Sequence, residues 1–173
     1  MPAAWAWFDR KFDFGFPPEK YAEILERLRG TPLRLEERTR GLSRDICIRP
    51  DGDSWSIQEN VGHIADLESL WLGRIDDILA GTETMRAADL TNARTHEADH
   101  NIRTMAEVLA AVRDVRATLM DRLDSLTVEQ MASDALHPRL RVPMRLIDLC
   151  HFVAEHDDYH LARISALRMM FQS

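Results

Sequence analysis

Cysteine is scarce in this chain: Cys47 and Cys150 are the only two in 173 residues. They are too few for a disulfide framework and fit a reducing compartment. No apolar run approaches the roughly 20 residues that a membrane span requires. The first residues lack the charged-then-apolar order of a signal peptide, because Trp5, Trp7 and Phe8 are soon followed by Asp9, Arg10 and Lys11. Basic residues do not interleave with aromatics, and the net charge is -7, which argues against a nucleic-acid surface. Glycine is sparse, and no stretch alternates with strand period. These absences leave a cytoplasmic protein with one domain over 1–173, without membrane or nucleic-acid partners.

What is present is helical periodicity. Pro17-Pro18-Glu19 opens a first helix, proline early and acid in the first turn. It reaches Gly30, where Thr31-Pro32 reads as a fresh N-cap and N1, so the helix is expected to break and resume to about residue 42. Residues 43–54 read as a loop. Ser56-Ile57-Gln58-Glu59 is a capping box before Val61, Ile64, Leu67, Leu70, Trp71, Ile75 and Ile78, with a stop at Gly81. Thr104-Met105-Ala106-Glu107 is a second box, before Val108, Val112, Val115, Leu119 and Leu123. On that third helix Arg113, Arg116 and Arg122 read as a solvated face. Thr127-Val128-Glu129-Gln130 caps one short extra turn. Pro138 and Pro143 bracket an irregular stretch, and a last helix covers about 143–169.

Four long amphipathic segments predict an all-α four-helix bundle. The polar crossover at 82–103 is long enough for the second and third helices to run parallel. The arm at 1–16 holds Trp5, Trp7, Phe8, Phe12, Phe14 and Phe16, half of the aromatics. It must dock on the bundle, in a dimer interface or over a pocket.

His156 and His160 are four residues apart, so both imidazoles leave one helix face. Leu149, Phe152, Val153, Ile164 and Leu167 share that side of the sequence pattern. Two histidines directed into a core need partners, and either a metal ion or neighbouring hydrogen bonds supplies them. Bundles build metal sites from facing helices. His63, on the apolar face of the second long helix and next to the small Gly62, stands out among the five other histidines as a third ligand. Three imidazoles with an open fourth position form a catalytic zinc arrangement, and imidazole also suits nickel, copper and iron.

Two further histidine patterns carry less. His96-Glu97-Ala98-Asp99-His100 matches H-E-x-x-H, but its surroundings are polar and lack the buried helix that a zincin protease needs. The segment remains a candidate for the pocket mouth. His137 and His151 are weaker candidates, His151 as a surface or interhelix group, and Cys150 reads as a small core residue.

The run from Trp55-Ser56-Ile57-Gln58-Glu59-Asn60 through Val61-Gly62-His63-Ile64-Ala65-Asp66 resembles the second-helix signature of the DinB-like superfamily. His156-Asp157-Asp158-Tyr159-His160-Leu161-Ala162-Arg163-Ile164 is similar to its fourth-helix signature. The similarity extends through Arg29-Gly30-Thr31-Pro32, His137-Pro138 and Val142-Pro143-Met144-Arg145. The resemblance implies a DinB-like bundle in up-down-down-up order with a tri-histidine metal centre at His63, His156 and His160.

It also implies a small-molecule substrate and a divalent metal, zinc or nickel foremost and iron as an option. The activity implied is that of a metal-dependent hydrolase, or of a transferase using a low-molecular-weight thiol of the bacillithiol or mycothiol type. A homodimer is the expected assembly. A non-catalytic bundle binding metal or a small ligand for sensing or assembly is the alternative. Glu59, one turn before His63, is the candidate general base, with capping as its other role. Asp157 is a candidate acceptor for a ligand histidine. The chain departs from close relatives at Tyr159, where histidine is frequent, and this bears on the pocket edge.

Overall fold

The computed structural model describes residues 5–172. In chain order its helices and strands are α1 (Tyr21–Thr39), α2 (Arg44–Cys47), α3 (Ile57–Leu79), α4 (Ala93–Glu97), α5 (Met105–Asp124), α6 (Val128–Met131), β1 (Asp134–Leu136), β2 (Pro143–Arg145) and α7 (Leu146–Gln172). The capping boxes form as the sequence predicts. The Ser56 hydroxyl accepts the Glu59 N–H, and Glu59 Oε2 accepts the Ser56 N–H at 2.8 Å. Thr104 with Glu107 and Thr127 with Gln130 repeat the arrangement. Each cap stabilises its helix start by about 1 kcal/mol.

Two apolar clusters fix the direction of each long helix. One joins Leu28 of α1, Ile75 of α3, Leu123 of α5 and Leu149 of α7. The other joins Leu35, Val61, Val108 and Ile164 of the same four helices. The first therefore gathers the start of α1, the ends of α3 and α5 and the start of α7, and the second gathers the opposite ends. The order is up-down-down-up. Helices α3 and α5 run parallel and adjacent, and each also packs against α7 or α1 in turn. Parallel neighbours need a long return, which residues 80–104 supply.

A polar layer separates the two clusters. Thr31, Glu68, Arg116 and Asp157 are all buried within it. Arg116 Nε donates to Glu68 Oε1 at 2.7 Å, and its Nη1 donates to Asp157 Oδ2 at 2.7 Å and to the Leu28 carbonyl at 3.0 Å. The Thr31 hydroxyl donates to Asp157 Oδ2 at 2.8 Å. Burial, reinforced by the Asp157 charge, raises the Glu68 carboxyl to about 7 against the pull of Arg116. The two carboxylates beside it hold the Arg116 guanidinium in its charged form.

This layer corrects two readings of the sequence. Arg116 is not on a solvated face: it is 2% exposed. Its position, four residues after Val112 and three before Leu119, lies on the apolar stripe, and that spacing was the available signal. Arg113 is exposed and Arg122 half-buried, and they pair with Glu36 and Asp76. Helix α1 also does not break at Thr31-Pro32, because Pro32 lies inside it. Proline cannot donate to the carbonyl four residues back, a loss of roughly 3 kcal/mol in an isolated helix. That carbonyl belongs to Leu28, and Arg116 donates to it instead.

Smaller differences lie in the connections. The loop at 43–54 contains the single turn of α2, and the irregular stretch after α6 contains the antiparallel β1–β2 ladder, with Ala135 opposite Met144. The ladder positions the turn between its two strands, where the His137 N–H donates to the Val142 carbonyl at 2.9 Å. The described part of the aromatic arm docks on the bundle. Arg145 Nη2 donates to the carbonyls of Phe14 and Phe16, and Trp7, Phe12 and Phe152 pack edge to face or tilted. Residues 1–4 of the arm lie outside the described residues. Among the described residues no helix is long and apolar enough to cross a membrane.

Candidate metal centre

Helical spacing brings His156 and His160 to the inner face of α7, and His63 meets them from α3. One ring nitrogen from each of the three lies within 4.8 Å of the others. The three side chains are 3–4% exposed. His156 Nε2 and His160 Nε2 are 3.2 Å apart, close to the ~3.3 Å expected for two nitrogens on one tetrahedral ion with bonds near 2.0–2.1 Å. The His160 Nδ1 lies 2.9 Å from Asn60 Oδ1, and the His63 Nδ1 lies 2.9 Å from Thr95 Oγ1. With each Nδ1–H donated outward, the Nε2 lone pairs are left to converge.

Burial lowers the pKa of all three imidazoles. It takes His63 to about 3, aided by the neighbouring His156, and His156 to about 3, aided by Arg116. His160 falls well below its usual value, with His156 and His63 adding to the effect. Neutral, lone-pair-bearing imidazoles are the form that ligates a metal. The donor set therefore fits a divalent ion.

The crossover supports the centre from behind. The Thr95 hydroxyl that meets His63 also bonds the Asp66 carboxylate, which is held low by bonds from His100 and Thr95 despite its burial. His100 Nε2 lies 2.8 Å from Asp66 Oδ2. The His100 ring rests on Gly62, where an added Cβ would come within 2.4 Å of it. Gly62 thus lets the crossover approach α3 closely. The H-E-x-x-H pattern does not assemble: α4 ends at Glu97, His100 is buried against Asp66, and His96 is exposed at the cavity.

A cavity of about 900 Å³ opens over the three histidines. Trp55 packs against His63 with ring centroids 4.5 Å apart, and Trp71 and Trp7 flank His156 at 5.7 and 5.1 Å. Part of the arm therefore forms a wall of the site. Tyr159 meets the His160 ring edge-on at 4.9 Å and is among the residues that line the cavity.

Other candidates from the sequence lie elsewhere. Glu59 accepts the Ser56 N–H within the cap and is not among the residues lining the cavity. Asp157 turns to Arg116 and Thr31, not to a ligand histidine, since adjacent positions on a helix face different sides. His151 sits between helices near Arg27, Phe14 and Phe16, and Cys150 is a core residue. His137 lies at the cavity with Arg74. Sequence reasoning missed Asn60, Asp66 and Thr95 as supports. Asn60 was findable, one turn before His63 on the same face. Thr95 carried no local signal.

Residues 20–164 match the family model described as the DinB superfamily. No curated protein matches the chain. Among solved structures, the chain is similar to YfiT from Bacillus subtilis, with 19% identity, a TM-score of 0.81 and 94% of each chain covered. That protein is described as a probable metal-dependent hydrolase with an unusual four-helix bundle topology.

Proposed function

The chain belongs to the DinB superfamily, and on that premise we propose that it is a divalent-metal-dependent hydrolase of a small molecule. His63, His156 and His160 are its metal ligands, zinc or nickel its ion. The observation that carries this reading is the convergence of three buried, neutral imidazoles at the floor of a cavity of about 900 Å³. A cavity of that size speaks for a substrate, since small-molecule sites commonly span about 300–1,000 Å³. The description of YfiT supports the same class of reaction.

When bound, the ion supplies Lewis acidity toward a carbonyl and lowers the pKa of water toward ~7. The chain's own residues hold the arrangement. Thr95 and Asn60 fix two ring orientations, and Trp7, Trp55 and Trp71 wall the site with apolar surface that keeps charges poorly screened. The same ligands suit transfer from a low-molecular-weight thiol, so the assay carries that arm.

The test is elemental analysis of protein purified without a metal-affinity tag, beside His63→Ala, His156→Ala and His160→Ala. About one equivalent of zinc or nickel, lost in each variant together with ester, amide or thiol-transfer turnover, is the expected result. Full metal retention in His160→Ala overturns the ligand assignment. Stoichiometric metal without turnover on any of these substrate classes overturns the catalytic reading.

A further inference from the structure

Away from the histidines, one wall of the same cavity carries cationic side chains without counter-ions among the described residues. Arg74 is 2% exposed yet forms no ion pair among the described residues. Its Nε donates to the Arg86 carbonyl at 3.1 Å. The one acid that favours its charge, Asp77, is bound by Arg86 through two side-chain nitrogens. Arg139 lines the wall as well, and its buried Nη2 has no hydrogen-bond partner among the described residues. Burial lowers Arg74 only to about 10, so it remains a cation at neutral pH.

A second observation concerns hydrogen positions. His137 Nδ1 accepts the backbone N–H groups of Arg139 and Leu140 at 3.2 and 3.1 Å. A neutral ring must then carry its proton on Nε2. That atom faces the Arg74 Nη1 at 3.1 Å, so donor is set against donor. The opposite tautomer moves the conflict to Nδ1 and the two backbone N–H groups. Such a contact lacks an acceptor. An oxyanion resting against both groups supplies it and compensates the guanidinium charge.

The acidic residues of the cavity do not fill this role. Asp89 accepts from the Thr91 and Ala93 N–H groups, and neither it nor Asp53 pairs with Arg74 or Arg139. The wall also has a fixed relation to the histidines. The Arg74 guanidinium lies 5.4 Å from the Trp71 ring, and the His156 ring lies 5.7 Å from it on the same cavity.

We propose that Arg74, Arg139 and His137 form an oxyanion subsite. It receives the carboxylate or phosphate of a substrate whose apolar middle lies along Trp71 and whose reacting group reaches the histidines. The assignment of the reacting end rests on the hydrolase reading, while the subsite itself is measured separately.

The experiment follows quenching of cavity tryptophan fluorescence in the full chain, zinc-loaded and chelator-treated, with three probes: 3-phenylpropionate, phenyl phosphate and the neutral 3-phenylpropionamide. At least one anion binds about tenfold or more tightly than the amide in both forms, as expected for hydrogen bonds to a charged donor. The tighter of the two anions identifies the oxyanion. Arg74→Gln and the half-buried Arg139→Gln each abolish most of this preference, and Arg139→Gln keeps the thermal midpoint of the parent. Equal binding of amide and anions overturns the subsite. So does a preference confined to the zinc-loaded form and unchanged in Arg139→Gln, which assigns the oxyanion to the metal. An anion preference that persists while His160→Ala retains all its zinc leaves the subsite standing and removes the metal reading.

Discussion

Replacing Glu68 by glutamine isolates the electrostatic strain of the polar layer. Glu68 is 1% exposed, shares one guanidinium with Asp157, and its Oε2 has no hydrogen-bond partner. Its carboxyl rises from 4.5 to about 7 on folding. The unfolded chain therefore releases this proton at lower pH than the folded chain does. The contribution of Glu68 is most favourable below pH 4.5 and is lost as pH rises through about 7. At about 1.4 kcal/mol per pKa unit, the full loss is at most about 3 kcal/mol. Glutamine keeps an oxygen for Arg116 Nε and does not titrate. Urea unfolding of metal-free wild type and Glu68→Gln at intervals from pH 5 to 8 reads the effect as a difference between two curves. The variant is expected to gain on the wild type steadily as pH rises, by up to about 3 kcal/mol. Parallel curves, or a wild type that gains instead, refute the reasoning, because they place the folded carboxyl at or below its unfolded value.

The buried histidines give the opposite trend. His63, His156 and His137 each fall from 6.5 to about 3 on folding. Their contribution is present above pH 6.5 and lost as pH falls toward 3, at up to ~1.4 kcal/mol per pH unit for each. Three such groups outweigh Glu68, so metal-free protein loses stability on acidification below pH 6.5, and a flat urea midpoint from pH 6.5 to 5 contradicts the burial argument. Thr95→Val removes the acceptor behind His63 at nearly constant volume. Zinc affinity is expected to drop about 10- to 100-fold by competition with a chromogenic chelator, beside a stability loss of about 1–3 kcal/mol from the His63 N–H and Asp66 carboxylate left without the hydroxyl; unchanged affinity means that Thr95 does not orient the ring. Gly62→Ala brings a methyl into the His100 ring, and overpacking costs about 1–3 kcal/mol against a helix-propensity gain near 1 kcal/mol. A net loss of stability is expected, and a stabilised variant shows that His100 moves aside freely.

Reading the sequence and reading the structure diverge at particular residues for identifiable reasons. Ser56-x-x-Glu59 and Thr104-x-x-Glu107 are local devices whose partners lie three residues away, so sequence alone places the starts of α3 and α5. His156 and His160 were legible because helical period and the apolar stripe put them on one inner face; His63, one of five candidate partners by spacing, was singled out by its apolar helix face and the family resemblance, and the three meet where α3 packs against α7. Pro32 misled because its compensation comes from Arg116, 84 positions away in the chain, which no local rule contains. Arg116 misled for the reciprocal reason: a buried cation is acceptable only when carboxylates from two other helices surround it. Thr95 and the pairing of Arg74 with His137 likewise belong to the crossover and to the β1–β2 turn, whose paths are set by packing.

The sequence by itself determined that four long segments are helical, where the two box-capped long helices begin, and that His156 and His160 share one face, because periodicity and capping act within one turn. Only the tertiary structure decided what lies behind those imidazoles and what shares their cavity. Hydrogen-bond partners and charge compensation are satisfied across helices, by atoms brought together through the fold.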